Sequence, residues 1–150
     1  MSNGLGLLGL ALRAGKLAAG YTAVSEAVHT KRARLICTAA DASERVRESA
    51  RHMPDRCNGL YTDTGFTQEQ LGRALGLNAC GIVAFLDPGF AWAFAKKLEE
   101  KDRERYGALV EALAHRKDRA TKRQIKKKQR SRKPGKKPGG NQARGGRSND

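Results

Sequence analysis

The chain has 150 residues, room for one ordinary domain with some chain to spare. Residues 116–150 hold 15 basic and 2 acidic side chains, a net +13 of the total +15, so a nearly neutral body precedes a strongly cationic tail. Three cysteines in no close pair (Cys37, Cys57, Cys80) exclude a disulfide scaffold and suit a reducing cytoplasm, and no apolar run approaches the roughly 20 residues that span a bilayer.

The first predicted helix covers Gly4 to Ala14, with Leu5, Leu8 and Leu12 at helical spacing; Ser2 or Asn3 would cap it and Gly15 would end it. The apolar stretch within it is short, broken by Gly6 and Gly9 and preceded by no basic residue, which argues against a secretory signal. Lys16 to Gly20 reads as a short strand or turn, and Tyr21 to Lys31 returns to helix with Val24, Ala27 and Val28 on one face. Leu35 to Ala39 has the length and composition of a strand buried on both faces. Asp41 or Ser43 caps a helix that Pro54 stops near Met53, and Cys57 to Tyr61 is a second buried strand. Thr67 and Gln70 form a capping-box pattern for a helix that closes at Gly76. Gly81 to Phe85 is the clearest strand, and Asp87-Pro88 opens the next helix.

Helices alternating with short apolar strands predict an α/β fold, a three-layer α/β/α sandwich with a small central sheet. The expected organisation is a domain over 1–98, a helical extension over 99–117 and a disordered Lys/Arg-rich tail over 118–150. The extension carries Tyr106, Leu109, Val110 and Leu113 at helical spacing, whereas the tail has almost no apolar residues with which to offset its ordering entropy.

Several motifs yield to plainer readings. Gly4-x-Gly6-x-x-Gly9 matches a dinucleotide-binding fingerprint, but that loop follows a strand and only three residues precede Gly4. Gly15-Lys16 lacks the Ser or Thr of a phosphate loop, since Leu17 follows it. No two of Cys37, Cys57, Cys80, His29, His52 and His115 lie within four residues of each other, so no metal site is expected. No nucleophile stands in a strand-to-helix elbow, and no cofactor or catalytic role is expected. Phe90, Phe94 and Leu98 form a core stripe, with Trp92 pointing elsewhere.

The tail is the strongest physical signal. Lys126, Lys127, Lys128, Arg130, Arg132 and Lys133 form a cationic run suited to the phosphates of a nucleic acid. Phosphate contacts carry no base information, so specificity must reside in the body.

Residues Gly4 to Leu98 resemble the ribosomal L7Ae/L30e family, and most of all its short bacterial members. The resemblance rests on the segments Leu7 to Leu17, the Gly20 turn with its helix, Ala39-Ala40-Asp41-Ala42-Ser43, and Leu71-Gly72-Arg73-Ala74-Leu75-Gly76. It implies the same α/β/α sandwich, and a structured RNA (kink-turn-type, ribosomal RNA or the ribosome) as partner of a cytoplasmic monomer. It places RNA contacts at Lys16, Gly20, Tyr21, Thr22, Arg45, Arg73, Leu77, Asn78 and Ala79. In the family's Gly-x-Asn-Glu-x-x-Lys segment, Gly20 matches the glycine, while Thr22, Ala23 and Glu26 replace the other three residues. Ala23 cannot accept a hydrogen bond from a guanine edge and Glu26 reverses a charge, so the tail is expected to carry much of the affinity. The alternative is a protein-interaction adaptor on the same fold, docking through the helix 96–116 by Tyr106, Val110 and Leu113.

Overall fold

In the computed structural model, which describes residues 4–132, the elements run α1 (Leu5–Arg13), β1 (Leu17–Ala19), α2 (Tyr21–His29), β2 (Leu35–Thr38), α3 (Glu44–His52), α4 (Pro54–Cys57), β3 (Leu60–Asp63), α5 (Gln68–Leu75), β4 (Ile82–Phe85), α6 (Pro88–Lys101) and α7 (Arg103–Arg132). The chain divides into two units at His115 and Arg116.

The first unit holds a four-stranded sheet in the order β1-β4-β2-β3. β4 is antiparallel to both neighbours and β2 is parallel to β3. Side chains alternate between two cores, as the period of two in a strand requires. Leu35, Cys37, Val83 and Phe85 join one apolar cluster with α1, α5, α6 and the start of α7. Ile36, Ile82 and Ala84 join the other, with α2 and residues of α3 and α4. Both faces of β2 and β4 are therefore covered, which makes them continuous apolar runs. This is the expected three-layer sandwich.

Local signals decide most helix ends. Thr67 and Gln70 close the capping box in both directions before α5, and Gly76 ends that helix in the left-handed region. Asp87 accepts from the Phe90 amide at the start of α6, at 3.0 Å. Phe94 is buried in the core, Phe90 and Trp92 half-buried against it.

Other expectations are corrected. Ser2 and Asn3 lie outside the described residues, and α1 begins at Gly4 without a side-chain cap. Ser43, not Asp41, caps α3. Pro54 does not stop a helix but starts the single turn α4, because proline at the first helical position loses no hydrogen bond. Cys57 closes that turn, so the strand begins at Leu60 and forms a half-buried sheet edge. All three cysteines are buried.

The body does not end at residue 98. Asp102 breaks the helical run, and its carboxylate then accepts from the Arg105 amide at 3.1 Å, capping α7. Tyr106, Val110 and Leu113 are all buried in the core beneath α7. The side chains expected to form an adaptor surface are therefore spent on folding and offer no docking face.

Within the second unit, α7 stays helical to Arg132, where disorder was expected from residue 118. Residues 108–132 contain no Gly or Pro and are rich in Ala, Arg, Lys and Gln, so intrinsic propensity sustains a helix that burial does not. Arg119, Lys122, Arg123 and Ile125 line a shallow groove on it. Lys126, Lys127, Lys128, Arg130 and Arg132 fall on its last turns, while Lys133 and the rest of the tail lie outside the described residues. Among the described residues no helix is long and apolar enough to cross a membrane.

Candidate functional site

β1, β2 and β3 all end at one side of the sheet, where antiparallel β4 begins. Each of the three leads into a loop and a helix N-terminus at that side: α2 directly after Gly20, α3 through residues 39–43, α5 through residues 64–67. The loop 76–81 returns to the same side to feed β4. Backbone hydrogen bonds sew these segments together. Gly20 N–H donates to Ile82 C=O and Ala39 N–H to Gly81 C=O, both at 2.9 Å. Gln68 N–H donates to the Asp41 carboxylate at 2.8 Å, and Cys80 N–H to Gln68 C=O at 3.0 Å. Asp41 is thus committed to bracing α5, which explains why it does not cap α3.

Three helix N-termini directed to one side concentrate positive partial charge there. Two of them have their own acceptors, Ser43 for α3 and Thr67 for α5. α2 differs: its N-cap is Gly20, at φ 93° and ψ 158°, with no side-chain cap and no acidic residue in the first turn. The left-handed φ explains the glycine. Its first amides are left to an external acceptor, an arrangement suited to anions.

Gly72 sets the return loop. A Cβ there would meet the Ala79 backbone nitrogen and Cα at 2.7 Å, so the loop lies directly against α5. Leu77, Asn78 and Ala79 are exposed along it.

The fold brings Gly20, Tyr21, Thr22 and the 79–81 end of the loop to this side, with Arg45 beside Tyr21 in the hollow between α2 and α3. Lys16 stands apart. It precedes β1 and its carbonyl pairs with Leu86 N–H beyond β4, which puts it at the opposite end of the sheet. Arg73 lies along α5 and is paired with Glu69 at 3.1 Å.

Two contributors were missed in the linear pattern. Arg47 of α3 donates to the Ala40 carbonyl at 2.9 Å and pairs with Asp63 at 3.3 Å, holding the loop after β2 against the end of β3. Its Nε is buried without a hydrogen-bond partner, so this brace is incompletely satisfied. Arg56 shares a second hollow with Tyr21; its placement follows from α4, which the Pro54-Asp55 pair could have indicated as a helix start. The Tyr21 phenol sits below its ordinary pKa, chiefly through its hydrogen bond with Ser49 and then through Ser25, Arg56 and Arg45. Among the described residues no cluster of His, Cys, Asp and Glu could hold a metal ion.

Residues 2–94 match the family model described as the Ribosomal protein L7Ae/L30e/S12e/Gadd45 family. The chain is 36% identical over 87 residues to the RNA-binding protein YlxQ of Bacillus subtilis (strain 168), covering 57% of this chain and 84% of that protein. Among solved structures it is similar to a protein of unknown function from Bacillus halodurans C, with a TM-score of 0.60 at 26% identity, over 66% of this chain and 99% of the other. The family match includes every candidate contact from Lys16 to Ala79 and none of the cationic tail.

Proposed function

This chain belongs to the ribosomal protein L7Ae/L30e/S12e/Gadd45 family, and from that premise we propose that it is a non-catalytic RNA-binding protein that recognises a kink-turn-type element in ribosomal RNA. The observation that carries the reading is the uncapped N-terminus of α2, braced by β4 through the Gly20 amide at one sheet end. Its open amides suit the phosphates of a sharply bent strand. Thr22, and Leu77 to Ala79 on the loop that returns to this side of the sheet, are exposed and available for base and sugar contacts. The relative YlxQ, called an RNA-binding protein, supports the same class of partner.

The departures at Ala23 and Glu26 lower the contribution of the body. Ala23 is half-buried against the core, and Glu26 places an exposed carboxylate one turn into α2. The net +13 of residues 116–150 restores affinity through counterion release, without adding specificity. The protein works as a cytoplasmic monomer on the ribosome, with the body selecting the site and the tail holding it.

Fluorescence anisotropy with a kink-turn RNA and a plain duplex of equal length tests this reading. The full chain should prefer the kink-turn at every salt concentration. A chain ending at His115 should keep the preference but show a shallower dependence of affinity on salt. Equal binding of both RNAs by the full chain would refute kink-turn recognition, and absence of binding would refute the RNA reading. Co-sedimentation with ribosomal subunits, abolished by nuclease and by salt, checks the ribosomal partner.

A further inference from the structure

Among the large apolar side chains left exposed in the described residues, Tyr21 is the one aromatic, with 48% of its surface open. It is not a loosely hanging ring. Its hydroxyl pairs with Ser49 Oγ of α3 at 2.9 Å, which fixes the polar end and leaves the ring uncovered. Tyr21 lines two hollows, one shared with Arg45 and Val46, the other with Val28 and Arg56. Each hollow thus offers an apolar contact and a guanidinium.

Arg47 and Arg51, neighbours of Arg45 along α3, are paired with carboxylates, whereas neither Arg45 nor Arg56 has a carboxylate partner among the described residues. Both are exposed. A rigid exposed ring with an uncommitted cation in each of its hollows matches what a single strand presents, a flat base between two phosphates.

We propose that Tyr21 is a stacking platform for one unpaired nucleobase of the bound RNA, with Arg45 and Arg56 engaging the phosphates that flank it. The proposal rests on the RNA-binding reading and specifies which part of the strand meets this face of α2, α3 and α4. Stacking on a ring whose hydroxyl is already engaged accepts any base, so the subsite adds affinity for single-stranded character and little sequence preference.

The test uses the full chain and two RNAs that share one structured element, one blunt and one carrying an unpaired extension. 2-Aminopurine is placed in turn at each unpaired position. Binding should quench the fluorophore at one position, and the extended RNA should be preferred by roughly ten-fold, the scale of one base–aromatic stack. Tyr21→Leu should abolish the quench and bring the preference close to one. Tyr21→Phe, which keeps the ring, should retain both, and this separates stacking from a folding defect. Arg45→Gln and Arg56→Gln should each reduce the salt dependence by about one phosphate contact. If the fluorophore responds nowhere, or if Tyr21→Leu keeps the quench and the preference, the platform is refuted while the RNA reading stands. If the wild-type chain binds neither RNA, both fall. Binding of free adenosine monophosphate as tight as that of the extended RNA would also overturn the proposal, by making the hollow a mononucleotide site.

Discussion

Arg47 and Asp63 join α3 to the end of β3 through an ion pair of 3.3 Å, and the same guanidinium holds the Ala40 carbonyl of the loop between β2 and α3. Asp63 also accepts from the Gly65 amide at 2.8 Å and faces Arg105 of α7 at 3.8 Å. One carboxylate therefore braces three segments, at 14% exposure. Asp63→Ala should lower stability by about 2 kcal/mol, mostly through the amide and the cation left unpaired. Urea denaturation of the two single variants and of Arg47→Ala/Asp63→Ala measures the coupling. Strictly additive losses would show that the brace contributes nothing as a unit.

Gly72→Ala is expected to cost about 2–3 kcal/mol, because its Cβ meets backbone and not a side chain that could swing away. Displacing the loop 77–79 should also weaken RNA binding more than the loss of stability alone would. Gly6→Ala is the contrast: its Cβ meets nothing within 4 Å on the exposed side of α1, and the exchange should be neutral or stabilising by about 0.5 kcal/mol. Thermal unfolding and anisotropy on the same samples separate the two effects.

Tyr106 links pH to folding. Its hydroxyl donates to the Asp63 carbonyl at 2.9 Å, and burial first, then the nearby acidic groups, pushes its pKa above the ordinary phenol value against the opposing pull of Arg105. A raised pKa in the folded state means that the unfolded chain loses this proton first. The stabilisation is complete below about pH 10, the value of a free tyrosine, and disappears as the pH climbs through that point towards the folded value. Tyr106→Phe should remove that alkaline loss at a cost of about 1 kcal/mol near neutrality. Melting temperatures across the alkaline range follow it. In an ultraviolet titration Tyr21, shifted the other way, should ionise before Tyr106.

A chain ending at Leu98 should be strongly destabilised, although residues 2–94 contain the whole family match. It would strip Tyr106, Val110 and Leu113 from the core they fill. At roughly 1.5–3 kcal/mol per buried side chain, the loss rivals the whole stability of a small domain. A chain ending at His115 should melt close to the full-length protein. Circular dichroism of the two truncations decides the point.

Much of the sheet could be read from the linear pattern because its strands are short, apolar and bounded by strong turn or capping residues. The capping box at Thr67 and the Asp87-Pro88 start are local chemistry and stand as read. Reading failed where a residue serves two patterns. Pro54 is compatible with ending one helix or beginning another, and taking it as an end drew the following strand too early, onto Cys57.

At the candidate site, Gly20 could be picked out only through the family's Gly-x-Asn-Glu-x-x-Lys segment, and the structure adds why a glycine stands there, a φ of 93° at a strand-to-helix turn. Arg47 and Asp63 were not, since their partners lie on other elements and no spacing rule connects them, and Arg56 was not, since only packing brings it beside Tyr21. Lys16 is close to Gly20 in the chain yet carried by β1 to the far end of the sheet, a separation no local pattern could show.

Composition and periodicity alone were enough to establish an α/β sandwich with a cationic C-terminal arm, because burial pattern, caps and net charge are properties of neighbouring residues. Which loops meet, which arginines remain unpaired, and whether the helix after Lys101 covers a core or offers a surface were decided by packing. Those outcomes depend on contacts between residues distant in the chain, and only the assembled sheet and its packed helices bring them within reach of one another.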